Sequence, residues 1–540
     1  MTNQLKKWEI LNKEKAASKD EIINILLKNR DIKNQSEFFD PKDPNEIKIK
    51  ELGISDESIK KAIKRIKQAK KNKEQVIVYG DYDADGITAT AIMWEALHNF
   101  GLDVLPHIPD RFEEGYGINS TSVENLKFKI KNLKLIVTVD NGIVAYEGIK
   151  KAKELGIDVI VTDHHQKGEK KNTAFSVIHS TLVCGSALAW FFAKELGSAN
   201  GLELAAIGTV ADQMPLVGVN RSIVKYGLIQ LNKTKRPGLR AILDSSKIES
   251  VGTYEINYII APRLNAMGRL AQGIDSLRLL CTKNLSKAKE LSVLLDKTNL
   301  NRQKMVEEVV LNVFSETKDK PLQKVIVVAG ETYHEGVIGL AAGKLVEEFY
   351  RPAIVISKKG DISKASARSI SGFNIIEAIR SVNLHLEGGG HPMAAGFSIE
   401  TNKIDKFIRE INKYANKLLT GELLEKKLKI DCEVNFGLLN YDLLTELQKF
   451  DPTGLGNPGA TFITKGVGLA SAKTVGREAK HLKLKLKQNE QLFDSIFFGG
   501  GEMYSKLAPG AKIDIVFSLE DNSWNGYKNL QLKIKDIKVS

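Results

Sequence analysis

At 540 residues with 42% hydrophobic side chains, the chain exceeds what one core can hold and is expected to form about three globular units without metal or disulfide staples. Cys184, Cys281 and Cys432 are far apart with no Cys-x-x-Cys pair, which excludes a disulfide framework and a thiolate zinc site; the charged start MTNQLKKWEILNKEK and the lack of an apolar run of ~18 residues exclude a leader and a membrane span, so a soluble, cytoplasmic monomer is expected. Lysine and arginine outnumber aspartate and glutamate by 79 to 66, a net charge of +13 that favours polyanionic partners without naming one.

Along the chain, residues 1–70 read as a helical or irregular segment. From 71 to 240 the pattern is strand and helix in alternation: VIVYGD, the apolar-periodic ITATAIMWEALHNF closed by Gly101, LIVTVDNG, a Lys-rich helix capped by Gly156, and VIVTDHH. Unbroken β-branched runs between helices imply a doubly wound parallel sheet covered on both faces, an α/β fold. Residues 241–320 complete this core and contain a long charged stretch without Pro or Gly, 285–314, which predicts a connecting helix. Between 321 and 425 KVIVVAG, GVIGLAAGKLVEEFY, PAIVIS, SKASARS and EGGGHPMAAG predict a second, smaller α/β unit. From 426 to 540 the segments are short and alternating. HLKLKLK, DSIFFGG, KIDIVFSL, an Asn525-Gly526 hairpin signal and LQLKIKDI predict an OB-like β-barrel, with a sandwich as the alternative.

Three predicted strands end in metal-type ligands: Asp81, Asp83 and Asp85 after the first, Asp140 after the second, and Asp163, His164 and His165 after the third. In a doubly wound sheet, ligands bind outside the carboxyl ends of the strands, so these side chains should converge. Any one such Asp reads as a turn or a helix cap. Three in succession with a His-His pair point instead to a cation, since massed carboxylates repel without one, and the donor set suits Mn²⁺ or Mg²⁺ better than zinc. Asp212, in AAIGTVADQMPL, is placed to close the cluster, and Asp140 is the natural bridge if two ions bind. In the C-terminal unit, HLKLKLK sets Leu482, Leu484 and Leu486 on one face and Lys483, Lys485 and Lys487 on the other, a basic stripe. Phe497, Trp524 and Tyr527 are available there to stack on bases. The bland alternative is that the lysines guard an edge strand and the aromatics are core.

GDYDADG, VDNG, DHH and GTVAD, in that order, resemble the four motifs of the DHH phosphoesterase family. The resemblance implies that Asp81 and Asp140 hold one divalent ion, that Asp83, Asp140, His164 and Asp212 hold a second, and that His165 faces the substrate phosphate. Asp85 is counted with the catalytic set, and Asp163 is read as orienting a ligating imidazole. Within the family the chain is most similar to the branch of single-stranded-DNA exonucleases. Residues 107–119, HIPDRFEEGYGIN, are similar to the loop that borders DNA entry there, nominating Arg111 and Tyr116. PRLNAMGRL and SARS are similar to segments that contact a 5′-phosphate, nominating Arg269, Ser366, Arg368 and Ser369, and GGGHPMAAG is similar to the signature of the DHH-associated domain, nominating His391. Lys483, Lys485, Lys487 and Trp524 are the candidate contacts to single-stranded DNA. After DHH the chain departs from the family pattern, with a shortened SVIHSTLVCGSALAW. The activity so implied is two-metal hydrolysis of single-stranded DNA from its 5′ end to 5′-mononucleotides, in DNA repair and recombination, with a single-strand-binding protein and a helicase as candidate partners. The rival readings are a phosphoesterase of short oligonucleotides or dinucleotides, and a noncatalytic replication-associated DNA-binding relative.

Overall fold

The computed structural model describes residues 6–317, 322–524 and 527–539. Two early helices, α1 (Lys19–Asn29) and α2 (Asp56–Lys71), are each capped by a serine, Ser18 and Ser55, whose side chain accepts a first-turn amide. The predicted β-branched runs then form strands β1 (Gln75–Tyr79), β2 (Asp103–His107), β3 (Leu133–Val139), β4 (Asp158–Asp163) and β5 (Ser176–His179). They pair in the order β2-β1-β3-β4-β5, all parallel, which puts a topological switch point between β1 and β3. Helices α3 (Ala84–Asn99), α4 (Gly185–Glu195), α5 (Leu202–Ala211) and α6 (Gly218–Asn232) complete this core, and α7 (Ala261–Leu270) packs against α3 and α5. The shortened SVIHSTLVCGSALAW is the edge strand β5 and the wholly buried start of α4.

The N-terminal stretch serves two cores. Ile22, Leu26 and Leu27 of α1 pack into the barrel, whereas Ile59, Ala62 and Ile66 of α2 pack with the parallel sheet. Arg221 of α6, 1% exposed, binds five backbone carbonyls: Phe38 through Nε, Phe450 and Pro452 through Nη1, and Lys449 and Asp451 through Nη2. That guanidinium fastens the parallel-sheet core to Phe38 and to the segment that leads into the barrel.

Helix α8 (Leu285–Thr317) is the predicted connector, and the chain divides within it into two units. The unit that begins at Lys297 has strands β6 (Ile326–Gly330), β7 (Ala353–Ser357), β8 (Ile362–Arg368), β9 (His385–His391) and β10 (Ala394–Glu400), in the order β9-β10-β8-β7-β6 with only β6 and β7 parallel. One face of that sheet packs on α8 and α9 (Glu335–Phe349), and the other on α10 (Ile404–Leu418). The glycine run is strand: Gly388 to Gly390 pair with Phe397 to Ala395, because β10 offers a complete ladder.

The C-terminal part belongs to the first unit. Strands β11 (Phe462–Val475), β12 (His481–Gln488), β13 (Gln491–Phe497), β14 (Lys512–Trp524) and β15 (Tyr527–Val539) pair as β11-β12-β13-β15-β14, and β14 returns to β11 to close a barrel. This decides between barrel and sandwich. Leu482, Leu484 and Leu486 are fully buried inside it with Phe462 and Phe517. Asn525, Gly526 and the side chains of Trp524 and Tyr527 lie outside the described residues. Among the described residues no helix is long and apolar enough to cross a membrane.

Candidate metal centre

Asp81 follows β1 and Asp140 follows β3, so the two carboxylates straddle the switch point. Asp140 has a left-handed backbone (φ 62°), held by its own amide on Thr162 O and by the buried Asn141, whose side chain donates to the carbonyls of Tyr79, Gly80 and Val139. A strained non-glycine residue so heavily restrained is typical of a site where aim matters. Gly185 at the start of α4 comes up against it; a Cβ there would overlap the Asp140 carboxylate.

One oxygen each of Asp81, Asp83 and Asp140 lies within 4.8 Å of the others, and the same limit encloses Asp140, His164 and His165, and Asp85, His164 and Asp212. Asp83 also caps α3 by accepting the amide of Gly86, so one carboxylate both caps the helix and stands in the acidic cluster. Asp85 differs from its neighbours. Its Oδ2 accepts from Gly185 N–H at 2.6 Å and its Oδ1 from Ser186 N–H at 2.9 Å, which makes it the anchor of α4.

Burial, reinforced by neighbouring carboxylates, pushes the Asp81, Asp83 and Asp140 carboxyls above their ordinary range, and Asp212 up to about 8. Burial also lowers His164, favouring the neutral ring that can ligate. His164 Nε2 stands 3.0 Å from Asp140 Oδ1, yet that buried oxygen has no hydrogen-bond partner. Buried carboxylate oxygens that converge on one another and on an imidazole nitrogen fit a divalent cation.

Asp163 orients an imidazole, but the ring is that of His165. Its Oδ1 accepts from His165 Nδ1 at 2.8 Å while Oδ2 accepts from Ile143 N–H, and the pairing raises His165. The Tyr116 hydroxyl, from the loop between β2 and β3, reaches within 3.4 Å of both the His165 ring and the Asp140 carbonyl. Arg111 lies over the Tyr82 ring at 4.8 Å, and the charge of Arg269, on α7, is felt at Asp83. Sequence reasoning missed Asn265, which accepts the Ala84 amide at the start of α3, and Asn257, which accepts from Gln213 beside Asp212. Asn265 stands within the PRLNAMGRL segment, whose arginines carry the more obvious phosphate signal.

In the second unit, Arg368 Nη1 lies 3.3 Å from Ser366 Oγ on β8, and the absence of a side chain at Gly339 of α9 lets both approach that helix. Ser369 is different from what its motif suggests: it is buried and its hydroxyl donates to Phe373 O at 2.7 Å, so it shapes the turn. His391 ends the edge strand β9 and is exposed. On the barrel, Lys483, Lys485 and Lys487 point outward from β12 as the alternation predicts, and Lys483 is paired across the ladder with exposed Lys473. Two like charges directly opposite are unfavourable without an anion. Phe497, proposed as a stacking ring, is core at 7% exposed; the ring on the surface is Phe498 at 56%.

Three family models match: the DHH family, N-terminal domain, over residues 75–210, the DHHA1 domain over 322–417, and the RecJ OB domain over 430–536. The chain is 36% identical over 502 residues to the single-stranded-DNA-specific exonuclease RecJ of Bacillus subtilis, covering 89% of this chain and 63% of that protein. It is 32% identical over 499 residues to the protein of that name from Thermus thermophilus, covering 89% of this chain and 71% of the relative. For Salmonella typhimurium the identity is 30% over 523 residues, covering 89% and 90%. The crystal structure of RecJ from Thermus thermophilus in complex with Mn²⁺ superimposes with a TM-score of 0.84 at 26% identity, over 100% of this chain and 80% of that one. Its Mg²⁺ complex gives 0.75 at 26% identity, over 99% and 78%.

Proposed function

This chain belongs to the RecJ family of DHH-domain exonucleases, and from that premise we propose that it hydrolyses single-stranded DNA from the 5′ end, releasing 5′-mononucleotides in DNA repair and recombination. The observation that carries the reading is the buried Asp140 Oδ1, 3.0 Å from His164 Nε2 and without a hydrogen bond, within the Asp and His cluster. Asp81 and Asp140 are assigned to one ion, and Asp83, Asp140, His164 and Asp212 to the other. Two bound Mn²⁺ or Mg²⁺ ions would supply an ionised water and neutralise charge on the phosphate. Asp85 positions α4, and with it the Gly185 surface against which Asp140 rests. His165, whose affinity for a proton is raised by Asp163, is suited to donate to a non-bridging phosphate oxygen, and Tyr116 stands beside it. Arg269 is assigned a contact to substrate phosphate in its unit, and Ser366, Arg368 and His391 are assigned phosphate contacts in theirs. The outward lysines of β12 are assigned to the backbone of the strand.

A closed barrel with paired surface lysines favours a long strand over a dinucleotide, since a tiny substrate needs no second platform. A cytoplasmic setting, and delivery of substrate by a single-strand-binding protein and a helicase, complete the proposal. The test is digestion of single strands labelled at either end, with Mn²⁺ and with EDTA. Metal-dependent release of 5′-mononucleotides from the 5′ terminus is expected; attack from the 3′ end, or on circular strands, would overturn it.

A further inference from the structure

Just before α7 the chain forms a turn of helix (Thr253–Glu255) and a π-helical turn (Ile256–Ile260), and the two run on into α7 as one rod. Insertions of this kind recur at functional sites. On its outer face Tyr254 and Tyr258 are 63% and 65% exposed, with ring centroids 4.7 Å apart and planes inclined at 34°. Two large aromatic rings held side by side in solvent offer a flat apolar face on which another ring can stack.

Both ends of the rod are tied to parts that face DNA in the functional reading, all within one unit. At its start, Thr253 Oγ1 donates to Thr453 O at 2.8 Å, in the segment that leads into the barrel. In the π turn, Asn257 accepts from Gln213 at 2.7 Å, one residue beyond the ligand Asp212. Further along, Asn265 accepts the amide of Ala84, the residue after Asp83, and Arg269 lies in the last turn of the helix. Tyr258 and Arg269 are about 16 Å apart along the rod at the helical rise. A strand passing from the barrel to the metal centre along this rod meets the tyrosine pair on its way.

We infer that Tyr254 and Tyr258 form a stacking platform for the bases of the incoming single strand, on the 3′ side of the cut. This rests on the functional reading above and extends it to a base contact that the metal centre and the lysine stripe do not provide. Stacking on a ring tolerates any base, so the platform holds the strand without reading its sequence. It also adds affinity that salt does not screen, unlike a lysine contact to phosphate.

The test measures binding of a long fluorescent single strand in EDTA. Y254A/Y258A is expected to weaken it about tenfold or more, with the slope against salt unchanged, while Y254F/Y258F binds like the parent. Both side chains are exposed, so the fold should tolerate either change. Strands with abasic residues at successive positions supply the other half of a cycle: the abasic strand should weaken the parent by the same factor and weaken Y254A/Y258A no further. Equal binding by parent and alanine variant, or losses that multiply, would overturn the platform and leave the rings as a docking point for something else. A parent that binds no single strand would instead sink the functional reading beneath it.

Discussion

Asp140→Asn separates a metal ligand from a merely buried aspartate, because it should change stability in opposite directions with and without metal. In the metal-free protein the carboxylate oxygens of Asp81, Asp83 and Asp140 lie within 4.8 Å, so a fully ionised pair repels by about 3 kcal/mol at an effective dielectric near 20. Protonation relieves part of this, since all three carboxyls are raised by burial and by one another. Asparagine keeps the shape and removes the charge. In EDTA at pH 8 the variant should therefore gain about 1–3 kcal/mol and melt a few degrees above the parent. With Mn²⁺ at about a hundredfold excess over its dissociation constant, the parent gains about 2.7 kcal/mol per site, a gain largely lost in the variant, so the order of melting reverses. Hydrolysis should fall by about three orders of magnitude or more, as loss of a shared ligand removes several kcal/mol of transition-state stabilisation. The assay is thermal unfolding by intrinsic fluorescence, paired with release of nucleotide from an end-labelled strand. A variant that melts below the parent in EDTA, or that keeps turnover within about tenfold at saturating Mn²⁺, would refute the reasoning.

Three further outcomes follow from the geometry. Arg221→Met should destabilise the protein by about 3–5 kcal/mol, measured by urea unfolding, because it strips donors from five carbonyls, those of Phe38, Phe450 and Pro452 buried; a loss below ~1 kcal/mol would mean that water replaces them. For Asp212 the folded pKa of about 8 stands above its unfolded value of ~3.9, so its contribution to the metal-free fold is present at low pH and lost as pH rises through 8, whereas metal must displace that proton. The rise in melting temperature caused by Mn²⁺ should thus be larger at pH 8.5 than at pH 6.5, and Asp212→Asn should flatten the trend in a pH series. Replacing Lys483, Lys485 and Lys487 together with Gln should reduce the log-log salt slope of single-strand binding by about two, judged by anisotropy titrations; an unaltered slope would leave them as edge-strand guards.

Much of the metal centre was legible because its signals are local. A β-branched run ending in Asp predicts both a parallel strand and a side chain at its carboxyl end, and Asp81, Asp140 and His164 stand where that logic puts them. The alternation in HLKLKLK likewise decided which face of β12 is buried, since the strand period is two wherever one side meets a core. Local pattern has no access to the partner of a hydrogen bond. That Asp85 binds the amides of Gly185 and Ser186 depends on a helix brought from about a hundred residues away, and that Asp163 holds His165 and not His164 depends on how the chain leaves β4. The same limit explains Ser369, turned inward on Phe373 O, and the glycine run that became an edge strand once β10 offered it a ladder. It also explains why Phe498 and not Phe497 is exposed, for β13 ends at Phe497, whose side chain faces the barrel core, and Phe498 stands in the turn that follows. Composition and period determined which residues could meet; the crossing of the chain at the switch point and the closing of the barrel decided which did, because those contacts are made between segments whose separation in sequence carries no periodic signal.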